Sequence, residues 1–566
     1  FAGTWKAGTT KTYALSQSET NLKYTFTATT ATVATSDDGA TTTYDITSYV
    51  NDDSQQRAVK WKVVGYDADG DGNFSMSEKP AWLRSLDGEG GTGSNITETH
   101  TATFNANERN LLKERNEAMQ NATPVSNYNL SNSSGASAIQ NTANCYVIDA
   151  PGTYRIPLVY GNAIKNGSDN TSAYKTTVTG GYVPGFTEEL TLDNFLDHND
   201  HKITSPYINE QNAARPATQA EVIWSDVSGI VTNATVTGSG QSSFLEFTVN
   251  KNQLVNGNAV IAVKNSSGTV MWSWHLWFTP KSSLDKIAMT SAGKTYNFTS
   301  DNLGWKYTSW WGGTKDRTVV VKLEQQAEVG TKKEATVTLT QKKGKDERIG
   351  YGNLYQWGRK DPVPGTNTAG FSYNGSGYTV VGDGEYNIPA KKALMETRTI
   401  GLSIQKPGEM LPKVGGGKLS WFYKQYINLW STDNNKFDGS VRDGKKTIYD
   451  PSPVGFKVPD AYAFEGFSLT GAEWNNGYTF IANNNKDIYF QAGGARLGAN
   501  GSIAAPGTTG LYWQSVPTLK DRGKPGYGLR TSLTNGAINT FFPPARDDAN
   551  DYGSYANAYG VRPVAE

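Results

Sequence analysis

Cysteine, histidine and long apolar runs are scarce in this chain, and each scarcity excludes a class of protein. The 566 residues include one cysteine and four histidines, and Lys plus Arg balance Asp plus Glu at 53 each. Cys145 cannot form an internal disulfide, so we expect it to be a small buried side chain and the domains to depend on buried apolar surface. Zero formal net charge argues against a nucleic-acid-binding protein, which needs a basic face. No run of eighteen apolar residues is present, which predicts that no helix spans a membrane.

The chain begins at Phe1, with neither an initiator Met nor a signal peptide. We therefore expect a mature or trimmed product whose export signal or lipid anchor has been removed. Proteolytic processing and the choice of sequence boundary explain this start equally well.

Turn-forming and strand-forming residues are abundant. The chain has 60 Gly, 30 Tyr and 15 Trp, long Thr, Ser and Asn tracts, and only 19% charged residues. Gly and Asn favour turns, whereas Thr, Tyr and Trp fit a half-buried pleated surface. The composition predicts a secreted β-rich protein.

Patterning along the chain predicts a mainly β protein of three domains, because its length is too great for one hydrophobic core. Residues 1–120 and 141–280 contain short runs of alternating apolar and polar residues, which predict two β-sandwich domains, the second Ig-like. Residues 121–140 are rich in Asn and Ser and predict a linker. In residues 281–566, Gly and Pro are frequent and strands are short, which predicts an α+β domain.

Three segments carry sharper local predictions. Asn107–Met119 lacks Gly, Pro and β-branched residues, which favours a short helix. Val270–Phe278 has apolar side chains on both faces of a predicted strand, so burial in a core is favoured over a platform that stacks on a ligand. Leu419–Trp430 has apolar residues near one stripe and predicts an amphipathic helix. Five further aromatic residues could stack on sugars, although core burial is again favoured: Trp310, Trp311, Trp357, Trp474 and Trp513.

The most specific local motif is the twelve-residue segment Asp67–Glu78, DADGDGNFSMSE. Oxygen-bearing side chains stand at positions one, three, five, nine and twelve, and Gly72 stands where a sharp turn is required, which is the pattern of an EF-hand calcium loop. The predicted Ca²⁺ ligands are Asp67, Asp69, Asp71, Asn73, Ser75 and Glu78. The flanking residues predict a strand rather than helices, and Asp-Gly repeats also form ordinary β-turns. A solvated hairpin without a metal is therefore the alternative.

Few side chains could serve as a catalytic base or nucleophile. Residues 281–566 contain neither histidine nor cysteine, so we predict no enzymatic activity there and no catalytic residues. His198 and His201, with Asp197 and Asp200 beside them, could bind zinc. No third strong ligand is evident, and a polar loop is favoured.

Longer phrases of the sequence resemble those of fimbrillin-like surface proteins from Bacteroidales. In the first 280 residues these phrases are Gly3–Gly8, Asn141–Ile148, Pro157–Ala163, Gly257–Val263 and Met271–His275. Further phrases resemble the Fibrobacter-type paralogous domain, which is similar to C-type-lectin-like folds: Tyr355–Pro362, Thr447–Pro451, Pro453–Pro459, Leu511–Ser515 and Tyr559–Val564.

The resemblance implies an extracellular surface lipoprotein at the outer membrane or in a fimbrium, a subunit or tip protein of a type V pilus. It implies that other pilus subunits are partners through strand addition, in which one subunit's strand completes another subunit's sheet. Host or dietary glycans or proteins are further expected partners, and nucleic acid is not. The alternative is a carbohydrate-binding surface lipoprotein that captures glycans, and an enzyme ranks third.

Overall fold

The computed structural model describes most of the chain, and it is mainly β. The described residues are 6–10, 22–30, 32–52, 55–178, 191–312, 315–327, 332–365, 371–373, 378–380, 385–386, 399–411, 420–422, 426–434, 443–498, 501–516, 527–532, 537–539 and 554–566. Strand makes up 43% and helix 10%, which confirms the predicted class at this level. Within this described part, every helix is too short or too polar to cross a membrane.

Internal contacts divide the chain into two units that are each discontinuous in sequence. Unit 1 consists of residues 1–110 and 311–346, and unit 2 of residues 111–310 and 347–566. This division differs from the three consecutive domains expected from the sequence. Arg317–Gln325 pairs with Trp61–Asp67 on one side and with Glu334–Gln341 on the other, so these later strands complete a sheet of unit 1.

Two sheets enclose the core of unit 1. Sheet A has the strand order Leu22–Thr30, Thr41–Asp52, Glu98–Phe104 and Leu83–Leu86, with Gln55–Ala58 also pairing with Thr41–Asp52. Sheet B has the order Glu334–Gln341, Arg317–Gln325, Trp61–Asp67 and Gly90–Gly91. Burial alternates along Thr41–Asp52, as expected for a strand with one face on a core. Side chains from both sheets form one apolar cluster that includes Ile46, Trp61, Phe104, Val321 and Leu339.

Two four-stranded sheets form the first part of unit 2. Sheet C has the order Cys145–Ile148, Val270–Phe278, Gly257–Asn265 and Ala217–Ser225. Sheet D has the order Val231–Thr237, Phe244–Val249, Gly152–Pro157 and Val125–Asn129. All nine residues of Val270–Phe278 are buried, which confirms the core interpretation of that strand. Cys145 is also fully buried, and burial raises the pKa of its thiol.

The strand Val125–Asn129 lies within residues 121–140, which the sequence predicted to be a linker. It pairs in parallel with Gly152–Pro157, and the chains approach so closely that a Cβ on Gly152 would lie 2.0 Å from the carbonyl oxygen of Val125. Asn129, Ser131 and Asn132 are buried, and the side-chain amides of Asn129 and Asn132 donate to backbone carbonyls of the same segment. Polar composition here therefore reflects side-chain-to-backbone hydrogen bonding rather than a solvated connector.

Short strands and irregular segments make up the rest of unit 2. The two larger sheets have the strand orders Ile287–Ser291, Lys294–Phe298, Val564–Ala565, Phe456–Lys457; and Val363–Pro364, Asn353–Gln356, Ala558–Tyr559, Ala495–Arg496, Ile503–Ala504. Three sheets have three strands each: Phe371–Tyr373, Tyr378–Val380 and Glu385–Tyr386; Glu473–Trp474, Gly477–Ile481 and Asp487–Gln491; and Thr509–Trp513, Tyr527–Ser532 and Ala537–Asn539. Ile164–Lys165 and Ser168–Asp169 form a two-stranded sheet. Lys306–Gly312 neighbours Glu347–Tyr351. Arg109–Asn110, a two-residue strand, belongs to unit 1.

Helices are few and short in the described part of the chain. The α-helices are Leu111–Asn121, Ile208–Gln211 and Ile400–Gln405, and the 3₁₀ turns are Met76–Glu78, Thr171–Ala173, Gly240–Ser242, Lys251–Gln253, Lys281–Leu284, Ala461–Phe464 and Asn483–Asn485. The first α-helix confirms the helix predicted near residues 107–119, although it begins at Leu111.

The amphipathic helix predicted at Leu419–Trp430 is wrong for the part of that segment that is described, residues 420–422 and 426–430, which form no helix. Trp421 and Trp430 are buried and donate indole hydrogen bonds to the backbone carbonyls of Trp357 and Tyr449. Their spacing therefore reflects burial of large aromatic groups in an irregular core rather than a helical stripe.

Candidate functional site

The predicted calcium loop in unit 1 begins where the strand Trp61–Asp67 ends. Tyr66 and Ser75 close it through two backbone hydrogen bonds of 3.0 Å, N–H to carbonyl in each direction. Ser75 then caps the 3₁₀ turn Met76–Glu78 by accepting from the backbone N–H of Ser77. A strand therefore precedes the loop and a single turn follows it, in place of the two helices of an EF-hand.

The close packing of Phe74 holds the middle of this loop against the strand. Because Gly65 has no side chain, Phe74 can approach it so closely that a Cβ on Gly65 would lie 2.8 Å from the Phe74 Cβ. The Lys322 ammonium lies 5.5 Å from the centre of the Phe74 ring. The loop is thus anchored to sheet B by an apolar contact.

Three carboxylates converge in the loop. Oxygen atoms of Asp67, Asp69 and Asp71 all lie within 4.8 Å of one another, with Asp67 buried and the other two exposed. Asp67 accepts from the backbone N–H groups of Gly70 at 2.7 Å and Gly72 at 3.1 Å. Both glycines have a positive φ, 80° and 84°, so the loop turns where residues with side chains would be strained. Among the described residues this triad is the one cluster of His, Cys, Asp or Glu spaced to hold a metal ion.

Asn73 and Ser75 bond locally. Asn73 donates from its backbone N–H and from its side-chain amide to the two carboxylate oxygens of Asp71, each at 2.8 Å, and these bonds lower the pKa of Asp71. The Ser75 and Ser77 hydroxyls lie 2.6 Å apart. The fold therefore brings together three of the six predicted ligands, Asp67, Asp69 and Asp71. Two others, Asn73 and Ser75, form hydrogen bonds within the loop and the turn that follows it.

Glu78, the sixth predicted ligand, carries the clearest sign that a cation fits this loop. Its Oε2 atom is shielded from solvent and has no hydrogen-bond partner among the described residues. Burial, followed by the charges of Asp69, Asp71 and Asp67, raises the pKa of Glu78. Ca²⁺ takes six or more oxygen ligands, and its two positive charges would offset part of the repulsion among the four carboxylates that adds to burial in raising the pKa of Glu78. The three aspartates are spaced so that they could hold a metal ion, and Glu78 of the same loop has an oxygen without a partner among the described residues.

The two histidines suggested as zinc ligands lie in a hydrogen-bonded loop. His198 is buried, with its Nε2 3.0 Å from the side-chain nitrogen of Asn199, whereas His201 is exposed. Asp197 accepts from the backbone N–H groups of Asn199 at 2.8 Å and His201 at 3.0 Å. Burial lowers the pKa of His198, against the opposing charge of Asp197. These contacts support the interpretation as a polar loop.

The aromatic residues considered as sugar platforms divide into two groups. Trp357 and Trp513 are fully buried and donate to the carbonyl oxygens of Gln514 at 3.0 Å and Tyr355 at 2.5 Å. Trp310, Trp311 and Trp474 are half-buried. Core burial is therefore confirmed for the first pair.

A cleft in unit 2 has no counterpart in the sequence predictions. Its volume is about 410 Å³, and four chain segments line it: Leu112 and Asn116 of the first helix, residues 226–228, residues 255–256 and residues 306–308. These segments are separated by up to 196 positions, so no local motif marked the site.

Comparisons of this chain with protein-family models, curated proteins and solved structures find no significant match.

Proposed function

We propose that this chain is an extracellular structural or adhesion protein of a bacterial surface, a fimbrial subunit or tip protein, and not an enzyme. The observation that carries this proposal is the strand Leu22–Thr30 at the edge of sheet A. It pairs over nine residues with Thr41–Asp52, and no other described strand pairs with it. One backbone group of the strand, the Thr25 carbonyl, accepts from the side-chain amide of Gln325 at 3.0 Å. Unpaired backbone N–H and C=O groups along an edge strand accept an extended segment from another chain.

The composition of this edge supports a role in pairing. Proteins protect edge strands with proline, bulges or several charged side chains. Leu22–Thr30 contains no proline, has one charged residue, Lys23, and keeps a continuous register with its neighbour. Among residues 22–29 the other exposed side chains are Thr27 and Thr29, which are polar and uncharged. Nothing in the strand itself therefore opposes the addition of a partner's strand.

Calcium has a supporting role in this proposal. Extracellular calcium sites commonly bind with dissociation constants of about 10⁻⁴–10⁻³ M. A bound ion would tie the end of Trp61–Asp67 to the turn Met76–Glu78 and so stabilise unit 1. We further propose that the sheet pairs of unit 1 and of sheets C and D are β-sandwiches, the latter Ig-like. For the predicted C-type-lectin-like domain, residues 281–566, we propose that the part in unit 2, residues 281–310 and 347–566, has that fold.

The test is antibody labelling of cells that display this chain, viewed by electron microscopy. We expect label on filaments, and we expect Thr27→Lys to reduce incorporation because it places a charge on the open edge. Thr99→Lys is the matched control, since Thr99 is exposed on Glu98–Phe104, which has neighbours on both sides in sheet A. Label confined to the cell body, or equal incorporation of the two variants, contradicts the proposal.

The alternative function is a carbohydrate-binding surface lipoprotein that captures glycans. The cleft in unit 2 is the observation that favours it, because it is large enough for a small-molecule ligand. An adhesion protein can also bind glycans, so a ligand in this cleft is compatible with either function.

A further inference from the structure

We infer that the cleft of unit 2 is a binding site for a neutral, hydroxyl-rich ligand, a single sugar residue of a glycan. The cleft volume of about 410 Å³ lies within the range of roughly 300–1,000 Å³ typical of ligand pockets. The inference rests on the alternative function, glycan capture, and names the ligand class of its cleft; it does not depend on assembly into a filament.

The floor of the cleft holds a buried pair of opposite charges. The Lys306 and Asp226 side chains are 6% and 1% exposed, and the Lys306 Nζ lies 3.8 Å from a carboxylate oxygen of Asp226. Nζ also donates to the backbone carbonyl of Asp226 at 3.2 Å. The Asp226 carboxylate accepts from the backbone N–H of Asn258 at 2.8 Å and from its side-chain amide at 3.0 Å. Because the two charges cancel, the floor is polar but favours neither an anion nor a cation.

Two amide side chains continue the polar surface. Asn256 is buried and accepts from the backbone N–H of Tyr307 at 2.8 Å. Asn116 accepts from the backbone N–H of Asn256 at 2.8 Å, and its own NH₂ group has no hydrogen-bond partner among the described residues. The exposed hydroxyl of Ser228 likewise has no partner in the described part of the chain. The cleft therefore offers an amide donor and a hydroxyl that can donate or accept.

Apolar side chains line the remaining wall. Leu112, Val227 and Val255 are half-buried beside the polar floor. A neutral sugar combines hydroxyl groups with a ring of C–H bonds, so it matches both surfaces at once. A ligand with a net charge would meet no uncompensated opposite charge on this floor. A purely apolar ligand would shield the Asn116 amide and the Ser228 hydroxyl from water without giving them partners.

The test is saturation-transfer NMR of the full chain with neutral methyl glycosides of glucose, galactose, mannose, fucose and N-acetylglucosamine. Methyl glucuronide and sialic acid are the charged comparisons. We expect at least one neutral glycoside to bind and the two charged sugars to bind at least tenfold more weakly.

Two substitutions and one control connect binding to the cleft. Ser228→Arg fills the mouth from an exposed position, and Asn116→Ala removes the amide donor; each should weaken binding at least tenfold. Ser266→Arg is the matched control, since Ser266 is exposed in the turn at the opposite end of Gly257–Asn265 from Asn256. Protection of Cys145 from thiol reagents establishes that each variant is folded. Absence of binding by every neutral glycoside, preference for a charged sugar, or unchanged binding by Ser228→Arg overturns the inference.

Discussion

Arg115 donates to the carboxylate of Asp301 at 2.7 Å, which fastens the helix Leu111–Asn121 to the segment that precedes Lys306–Gly312. The two side chains are 10% and 12% exposed. The same guanidinium donates to the Thr279 hydroxyl at 2.5 Å, and Asp301 accepts from Tyr307 at 2.8 Å. Burial acts to raise the pKa of Asp301, but Arg115 and the hydroxyl donors outweigh it and hold that pKa below its usual value.

We expect Arg115→Ala to lower the free energy of unfolding of unit 2 by about 3–5 kcal/mol, because it leaves the Asp301 carboxylate buried without its cation. The matched control is Lys113→Ala, whose ion pair with Glu117 on the exposed face of the same helix should contribute no more than about 0.5 kcal/mol. Labelling of Cys145 in increasing urea measures the effect, since this buried thiol reacts only when unit 2 opens. Equal urea midpoints for the two variants would contradict the prediction.

Acidification should destabilise unit 2 through His275. Burial lowers the pKa of His275 to about 3 from 6.5, so between these pH values the unfolded chain binds a proton that the folded chain does not. The free energy of unfolding should therefore fall as pH decreases from 6.5, by roughly 2–3 kcal/mol at about pH 4.5.

Urea unfolding followed by tryptophan fluorescence at about pH 7 and pH 4.5 measures the contribution of His275. His275→Gln should show a smaller difference between the two pH values than the wild type. His201→Gln, at an exposed histidine of the same unit, should retain the wild-type difference. An unchanged difference in His275→Gln would refute the assignment.

We expect Ca²⁺ to bind the Asp67–Glu78 loop and to raise the melting temperature of unit 1, because only the folded loop brings its carboxylates together. Asp71→Asn should weaken the affinity at least tenfold in titration calorimetry. Asp52→Asn should not, since Asp52 is an exposed carboxylate of the same unit outside the loop. Equal heats for these variants, or no heat with the wild type, would exclude the site.

Calcium binding should also weaken on acidification, and it should do so above the pH range of an ordinary glutamate. Burial and the three aspartates raise the pKa of Glu78. As the pH falls, protons therefore compete with the metal for this side chain at a higher pH than they would for an ordinary glutamate. Calorimetry in two buffers of different ionisation enthalpy counts the protons released. Glu78→Gln should reduce both the affinity and the proton release, whereas a proton count equal to that of the wild type would assign the release to another group.

Gly161→Ala should destabilise unit 2 more than Gly268→Ala does. Both glycines have a positive φ, 42° and 79°, which disfavours a side chain by about 1 kcal/mol. A Cβ on Gly161 would also lie 2.3 Å from the carbonyl oxygen of Ile448, whereas a Cβ on Gly268 meets nothing within 4 Å. We expect the clash to add about 1–3 kcal/mol, measured by Cys145 labelling in urea. If both variants lose the same stability, the backbone at Ile448 moves aside without cost.

Local chemistry explains what the sequence determined by itself. The mainly β class, the helix at Leu111–Asn121 and the burial of Val270–Phe278 follow from propensity and from the spacing of apolar residues. The aspartates of the Asp67–Glu78 loop were also readable, because turn glycines and neighbouring carboxylates lie within twelve consecutive positions. The resemblance to fimbrillin-like proteins, and the function drawn from it, stay predictions.

Only the tertiary structure decided which distant segments meet. Arg317–Gln325 pairs with the distant strand Trp61–Asp67, and Val125–Asn129 pairs with Gly152–Pro157. In each case the strand adds to the edge of a sheet, and the residues next to it in sequence do not reveal which edge that is. Burial of Trp421 and Trp430 occurs without a helix, since apolar spacing records which side chains leave water and not the backbone path that buries them. The cleft around Lys306 and Asp226 exists for the same reason: contacts between residues 80 positions apart depend on how strands and loops pack, and no local period encodes that.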